Sequence, residues 1–223
     1  MKFAVIVFPG SNCDHDAYYV LNKILNVHVD FIWHKESTLS DYDAILLPGG
    51  FSYGDYLRTG AIAKYSPIMK EVIRNIDKGV PVIGICNGFQ ILIEAGILPG
   101  FLIKNKNTKF ISKMVHLDVL TNQSIFTKLL EPDKTISMPI AHGEGNYQAT
   151  QDTLLELQDN DCIAFKYSEE NNTIGNPNGS IDNIAGILNK RKNVLGMMPH
   201  PERACESILG SDQGINIFKS MLS

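Results

Sequence analysis

The sequence predicts an α/β fold in three layers: a mostly parallel central sheet with helices on both faces, plus a small antiparallel segment in the middle third. Three observations carry that reading. Short runs rich in β-branched residues alternate with stretches of helical periodicity through the first half of the chain. These runs are apolar throughout, as expected of strands buried on both faces of a parallel sheet. Alternating patterns, which suit antiparallel strands, appear only later, in Met114–Leu120 and Thr135–Ile140.

Taken in order, Phe3–Phe8 is the first strand, ended by Pro9-Gly10, and Asp14 to Leu25 has helical spacing. Val27–Trp33 and Ala44–Leu47 are the second and third strands, the third running into Pro48-Gly49-Gly50. A helix is expected from Ala61 to Asp77, then a fourth strand, Val80–Ile85. Gly88–Ala95 follows as a helix stopped by Gly96 and Pro99. Val194–Met198 is the last apolar strand, and Asp212–Leu222 has helical spacing with Ser211 or Asp212 as its cap. Lys190-Arg191-Lys192, between two apolar strands, reads as a solvated hairpin turn. Gln148 to Glu170 receives no role. With no repeat and no linker-like stretch, residues 1–223 are expected to form a single domain.

Composition narrows the function classes. The chain has 223 residues, 44% of them hydrophobic, which is enough to bury a sizeable core. It carries 20 Lys+Arg against 24 Asp+Glu, a formal charge of −4. Nucleic-acid binders pair phosphates with a basic excess, so no nucleic-acid partner is expected. No apolar run is long enough to span a bilayer, so no membrane association is expected. The four cysteines, Cys13, Cys86, Cys162 and Cys205, are too scattered for a metal knuckle or a disulfide scaffold. Free thiols and a cytoplasmic location follow as expectations.

The sharpest local feature is Gly84-Ile85-Cys86-Asn87-Gly88-Phe89-Gln90, where a buried strand gives way to a helix. G-x-C-x-G is the pattern of a nucleophile elbow: the reactive residue sits on a strained turn, and flanking glycines let neighbouring chain pass without a Cβ clash. A cysteine at a helix N-terminus is also biased toward thiolate. Cys13, at another strand-to-helix junction, is the competing thiol but lacks the glycine pair; with Cys162 and Cys205 it reads as structural.

A thiol nucleophile requires a base, and the base an orienting group. Met198-Pro199-His200-Pro201-Glu202 follows the last strand. The prolines restrict the backbone around His200, and Glu202 is placed to accept from the imidazole and set its tautomer. Leu47-Pro48-Gly49-Gly50 ends a strand in the same way. A backbone N–H there, together with that of Asn87, can form an oxyanion hole. Neither G-x-x-x-x-G-K-[ST] nor G-x-G-x-x-G occurs, so this chain is expected to bind no nucleotide cofactor and no metal.

The combination P-G-G, G-x-C-x-G-x-Q and H-P-E, in that order, resembles the class I (triad) glutamine amidotransferases. Further segments are similar to the PurQ-type glutaminase subunits of phosphoribosylformylglycinamidine synthases: Phe8–Asp14, Gly49–Gly60 (GGFSYGDYLRTG), Ala141–Gly145 (AHGEG) and Asn176–Ser180. The resemblance covers essentially the whole chain. It implies Cys86 as nucleophile, His200 as general base, Glu202 as orienting carboxylate, and backbone donors near Gly50 and at Asn87. It further implies a glutamine site that includes Gly49, Gln90 and His142, with Glu144 on the pocket wall. Ammonia would pass to a large synthetase subunit (PurL) that holds ATP and Mg²⁺, with a small subunit (PurS) bridging the two. The loop Phe51 to Thr59, carrying Asp55 and Arg58, is expected to read the partner's surface. Other amidotransferase subunits share the triad but not GGFSYGDYLRTG or AHGEG, and a Cys-His hydrolase of similar fold is not expected to carry H-P-E.

Overall fold

A computed structural model describes residues 1–168 and 175–223, so Glu169 and Glu170 of the segment without a role lie outside it. The chain elements are β1 (Lys2–Val7), α1 (Asp14–Tyr19, continued by a π turn over Val20–Ile24), β2 (His28–Trp33), β3 (Ala44–Leu47), α2 (Pro67–Asp77), β4 (Val82–Ile85) and α3 (Asn87–Glu94). Then follow β5 (Phe101–Ile103), β6 (Ile111–Val119), β7 (Thr135–His142), β8 (Asn146–Gln148), α4 (Gln151–Asp159), β9 (Ile163–Tyr167), β10 (Ile184–Leu188), β11 (Val194–Met197) and α5 (Ile215–Leu222).

The described residues form a nine-stranded sheet in the order β2-β1-β3-β4-β11-β10-β9-β6-β7. The first five run parallel, through Phe3↔Val29, Phe3↔Ala44, Ile45↔Val82 and Val82↔Val194. Beyond β11 every pairing is antiparallel. The central strands β3, β4 and β11 are buried along their whole length, as their unbroken apolar sequences require. The predicted α/β class therefore holds. The alternating strands of the middle third extend the same sheet, and the small separate antiparallel pair is β5 with β8.

Two boundaries differ from expectation. The helix predicted from Ala61 begins at Pro67, after a 3-10 turn over Ala63–Tyr65, because Ser66 is extended (φ −60°, ψ 139°). A residue before proline is pushed out of the helical region by the proline ring. The tail helix α5 starts at Ile215 with Gly214 as an N-cap that offers no side chain. Ser211 instead accepts from the Gln213 N–H at 3.2 Å and donates to the Ser137 carbonyl at 2.6 Å. The basic trio is the turn between β10 and β11, with Lys190 on Glu156 and Lys192 on Asp161. Among the described residues no helix is long and apolar enough to cross a membrane.

Candidate active site

The site lies at the carboxyl ends of β3, β4 and β11, where an open α/β sheet leaves its crevice. Cys86 joins β4 to α3 with φ +50° and ψ −104°, a conformation that costs a non-glycine residue roughly 1–3 kcal/mol. Its N–H is tied to the Met197 carbonyl at 2.7 Å and its carbonyl accepts from Gln90 N–H at 3.1 Å, so both sides of the turn are held. The flanking glycines are required sterically. A Cβ on Gly88 would lie 2.0 Å from the Leu47 carbonyl oxygen, and one on Gly84 would lie 2.4 Å from Leu92 Cδ1 and 2.8 Å from the Gly88 carbonyl.

His200 and Glu202 form a buried pair, 1% and 2% exposed, with Nδ1 and Oε1 2.6 Å apart. The His200 N–H donates to the Pro139 carbonyl, fixing the loop to β7. Burial pulls the imidazole pKa down, but the Glu202 carboxylate and the sulfurs of Cys86 and Cys13 outweigh it and hold the pKa well above the ordinary value. Nε2 makes no hydrogen bond of normal geometry, yet it is near enough to both sulfurs to feel them. Cys13, Glu202 and His200 offer ligand atoms that all lie within 4.8 Å of one another.

Two thiols therefore flank one imidazole, in different settings. The Cys86 thiol donates weakly to the Ala141 carbonyl at 3.6 Å and lines a cavity of about 320 Å³ with Gly50, Asp55, Gln90, Lys104, His142 and Glu144. That volume suits a small polar metabolite. Cys13 accepts from Arg203 Nη2 at 3.1 Å and lines a neighbouring cavity of about 250 Å³ with His200 and Arg203. Gly50, Phe51, Phe110 and Ala141 border both.

The remaining predicted residues divide by role. Gly50 has φ +136°, and a Cβ there would lie 2.7 Å from the Asn12 nitrogen, so this strand end admits only glycine. Asn87 opens α3, where the first backbone N–H groups have no acceptor within the helix. Its side chain is committed, accepting from Ser52 N–H and donating to Gln90 Oε1 at 3.0 Å. Gln90 in turn donates to the Glu144 carbonyl at 2.6 Å, so it lines the cavity with both amide ends engaged. Gly49 stands apart from that cavity: a Cβ on it would meet His200 Cε1 at 2.8 Å and Cys13 Sγ at 3.2 Å. A bare α-carbon at Gly49 thus leaves room for the imidazole and the Cys13 sulfur at the strand end.

A family model for the CobB/CobQ-like glutamine amidotransferase domain matches residues 1–216. The chain belongs to this family. A solved structure described as PurLQS from Thermotoga maritima is 43% identical, covers 99% of this chain and 97% of its own, and superposes with a TM-score of 0.89. On that likeness the chain is a PurQ-like class I glutamine amidotransferase. Two more distant structures share the fold. One is a glutamine amidotransferase from Thermotoga maritima, at 16% identity, 100% and 96% coverage and TM-score 0.62. The other is the glutaminase domain of Trypanosoma brucei CTPS, at 13% identity, 100% and 94% coverage and TM-score 0.60.

Within this amidotransferase the structure brings further side chains to the site. Cys13, whose sequence context marks it as structural, sits against the imidazole. Asp55, on the loop expected to read a partner's surface, also lines the cavity, while Arg58 pairs with Glu94 of α3 at 2.5 and 2.8 Å. His142 is 3% exposed, and its Nδ1 meets Asn105 Oδ1 at 3.0 Å. Burial, helped by the charge of His200, lowers its pKa to about 4.

That shift has a stability consequence. An unfolded histidine titrates near 6.5, so between about pH 6.5 and 4 the unfolded chain binds a proton that buried His142 refuses. Stability from this group is full above pH 6.5 and is lost as pH falls toward 4, by up to about 3 kcal/mol. Asp55, raised to about 6, works in the opposite direction, but its effect is common to wild type and a His142 variant. Denaturant unfolding at pH 7 and pH 4.5 should show His142→Gln losing less stability on acidification than wild type. Equal losses would remove His142 from the account.

Proposed function

We propose that this amidotransferase is the glutaminase subunit of a phosphoribosylformylglycinamidine synthase, acting in de novo purine biosynthesis. It hydrolyses glutamine and passes ammonia to a large synthetase subunit, PurL, which uses ATP and Mg²⁺ to convert formylglycinamide ribonucleotide to its amidine; a small PurS subunit completes the assembly. The observation that carries the reading is Cys86 on its strained elbow, facing both the cavity and the His200–Glu202 pair. The 43% identity to the chain of the Thermotoga maritima PurLQS structure supports the choice of partner.

In this mechanism the Cys86 sulfur attacks the side-chain carboxamide carbon, its proton going to His200. The backbone N–H groups at Gly50 and Asn87 hold the developing oxyanion. His200, kept protonated by Glu202, delivers its proton to the nitrogen as the C–N bond breaks, and ammonia leaves. Water, deprotonated by His200, then cleaves the γ-glutamyl thioester to glutamate and restores the thiol. The loop between the cavity residues Asp55 and Thr59 carries exposed Tyr56 and Leu57, an apolar rim that supports docking of the synthetase next to the site.

The test measures glutamate and amidine formation by the isolated chain and by the complex reconstituted with PurL and PurS subunits, ATP, Mg²⁺ and the ribonucleotide. Glutamate formation should rise about 10²–10³-fold on assembly, the worth of one oxyanion donor brought into line at the Gly50 strand end. Glutamine hydrolysis without amidine in the complete mixture would assign the ammonia to a different acceptor.

A further inference from the structure

Glutamine presents two groups that do not react, an α-ammonium and an α-carboxylate, and a glutaminase has to hold them to aim the carboxamide at its thiol. The cavity at Cys86 is unevenly supplied for that task. Asp55 and Glu144 line it, and their carboxylates are held in different ways. Glu144 Oε2 accepts from the Thr59 hydroxyl at 2.6 Å and, more weakly, from the Thr59 N–H at 3.5 Å. Asp55 Oδ1 is buried with no hydrogen-bond partner. Three successive left-handed residues, Tyr53 (φ 58°), Gly54 (φ 72°) and Asp55 (φ 52°), turn this carboxylate inward, a strained path that exposed loops seldom keep.

An independent observation concerns the same cavity. His142, also on its lining, is 97% buried by its 3% exposure and donates through Nδ1 to Asn105, leaving Nε2 as an acceptor without a donor. The cation nearest in sequence to Asp55, Arg58, is already paired with Glu94. One cation, the exposed Lys104, shares this lining with the two carboxylates, and Glu144 is the charge that acts on Asp55. Two acceptors without donors beside a surplus of carboxylate call for a positively charged ligand group with several N–H bonds.

We propose that Asp55 and Glu144 are the receptor for the α-ammonium of glutamine and thereby set the enzyme's selectivity for an amino-acid amide. The assignment rests on the glutaminase reading above and goes beyond it to the substrate's non-reacting end. Burial and the neighbouring Glu144 charge raise the Asp55 pKa to about 6, the mark of a carboxylate short of a countercharge. Both residues are specificity determinants, and neither handles a reacting atom.

The experiment uses the assembled complex and two substrates, L-glutamine and 4-carbamoylbutanoate, the same molecule without its α-amino group. Wild type should prefer glutamine by at least about 10²-fold in kcat/KM. Asp55→Asn should lose about 10²–10³-fold with glutamine, mostly in KM, and change little with 4-carbamoylbutanoate, so that discrimination collapses. Glu144→Gln should do the same to a smaller degree. Ammonium-dependent turnover and the alkylation rate of Cys86 by iodoacetamide should match wild type in both variants. Equal losses on both substrates, or an unchanged KM for glutamine, would overturn the receptor. If wild type hydrolyses neither substrate, the glutaminase reading itself fails and takes the receptor with it.

Discussion

Cys86→Ala is expected to abolish glutamine-dependent turnover, with a loss of about 10⁴–10⁶-fold from wild type, while the reconstituted complex still works with added ammonium. Only the glutaminase half uses the thiol, and ammonia supplied from solution bypasses it. Two sulfurs compete for the role because both act on His200. Geometry separates them. Cys86 heads the eight-residue helix α3 and faces the larger cavity. The Cys13 sulfur is occupied by the Arg203 guanidinium, and burial pushes its thiol pKa up. Cys13→Ala should therefore retain most of its turnover, and an electrophilic glutamine analogue should label Cys86 alone among the four thiols. A dead Cys13→Ala beside an active Cys86→Ala would transfer the nucleophile to the start of α1.

The parts of this site that could be read from sequence are those whose physics is local. G-x-C-x-G is legible because its pattern is compact, even though only part of the constraint is local: a side chain at Gly84 would strike Leu92 and the Gly88 carbonyl of the same strand–helix turn, while one at Gly88 would strike the Leu47 carbonyl of the neighbouring strand. H-P-E is legible because the pair is two residues apart, and the 2.6 Å contact between His200 and Glu202 is a property of one short loop. The parallel half of the sheet is readable for a similar reason, since two-sided burial marks each strand individually. Cys13 is not legible. Its contact with His200 depends on β1 and β11 flanking β3 and β4 in the sheet, and on a bare α-carbon at Gly49 between the two side chains. The place of Asp55 on the cavity lining is not legible either, because nothing in Tyr53-Gly54-Asp55 announces three left-handed residues in succession. Alternation in Ile111–Val119 and Thr135–His142 identifies antiparallel strands correctly. It carries no information on which sheet they join, which the register Leu117↔Tyr167 decides. The start of α2 is marked by Pro67 itself, and the helical spacing upstream obscures it.

The second large effect concerns the pair behind the thiol. His200→Ala should lower glutamine-dependent kcat/KM on the order of 10⁶-fold, since it removes both the acceptor of the thiol proton and the donor to ammonia. Glu202→Gln should cost less, on the order of 10⁴-fold. An amide fits the same space and can hold Nδ1, but it can favour the wrong tautomer and cannot stabilise the imidazolium. A merely structural role for Glu202 would give a similar rate loss, so the decisive measurement is the pH profile. The carboxylate is the foremost influence raising the His200 pKa against its burial. Without it the imidazolium gives up its proton at lower pH, and the ammonia donor is lost sooner. The alkaline limb of kcat/KM for residual Glu202→Gln activity should therefore move to lower pH than in wild type, with ammonium-dependent turnover unaffected. An alkaline limb that stays in place would mean that Glu202 shapes the loop without tuning the imidazole, and that the proton reaching ammonia is governed from elsewhere in the site.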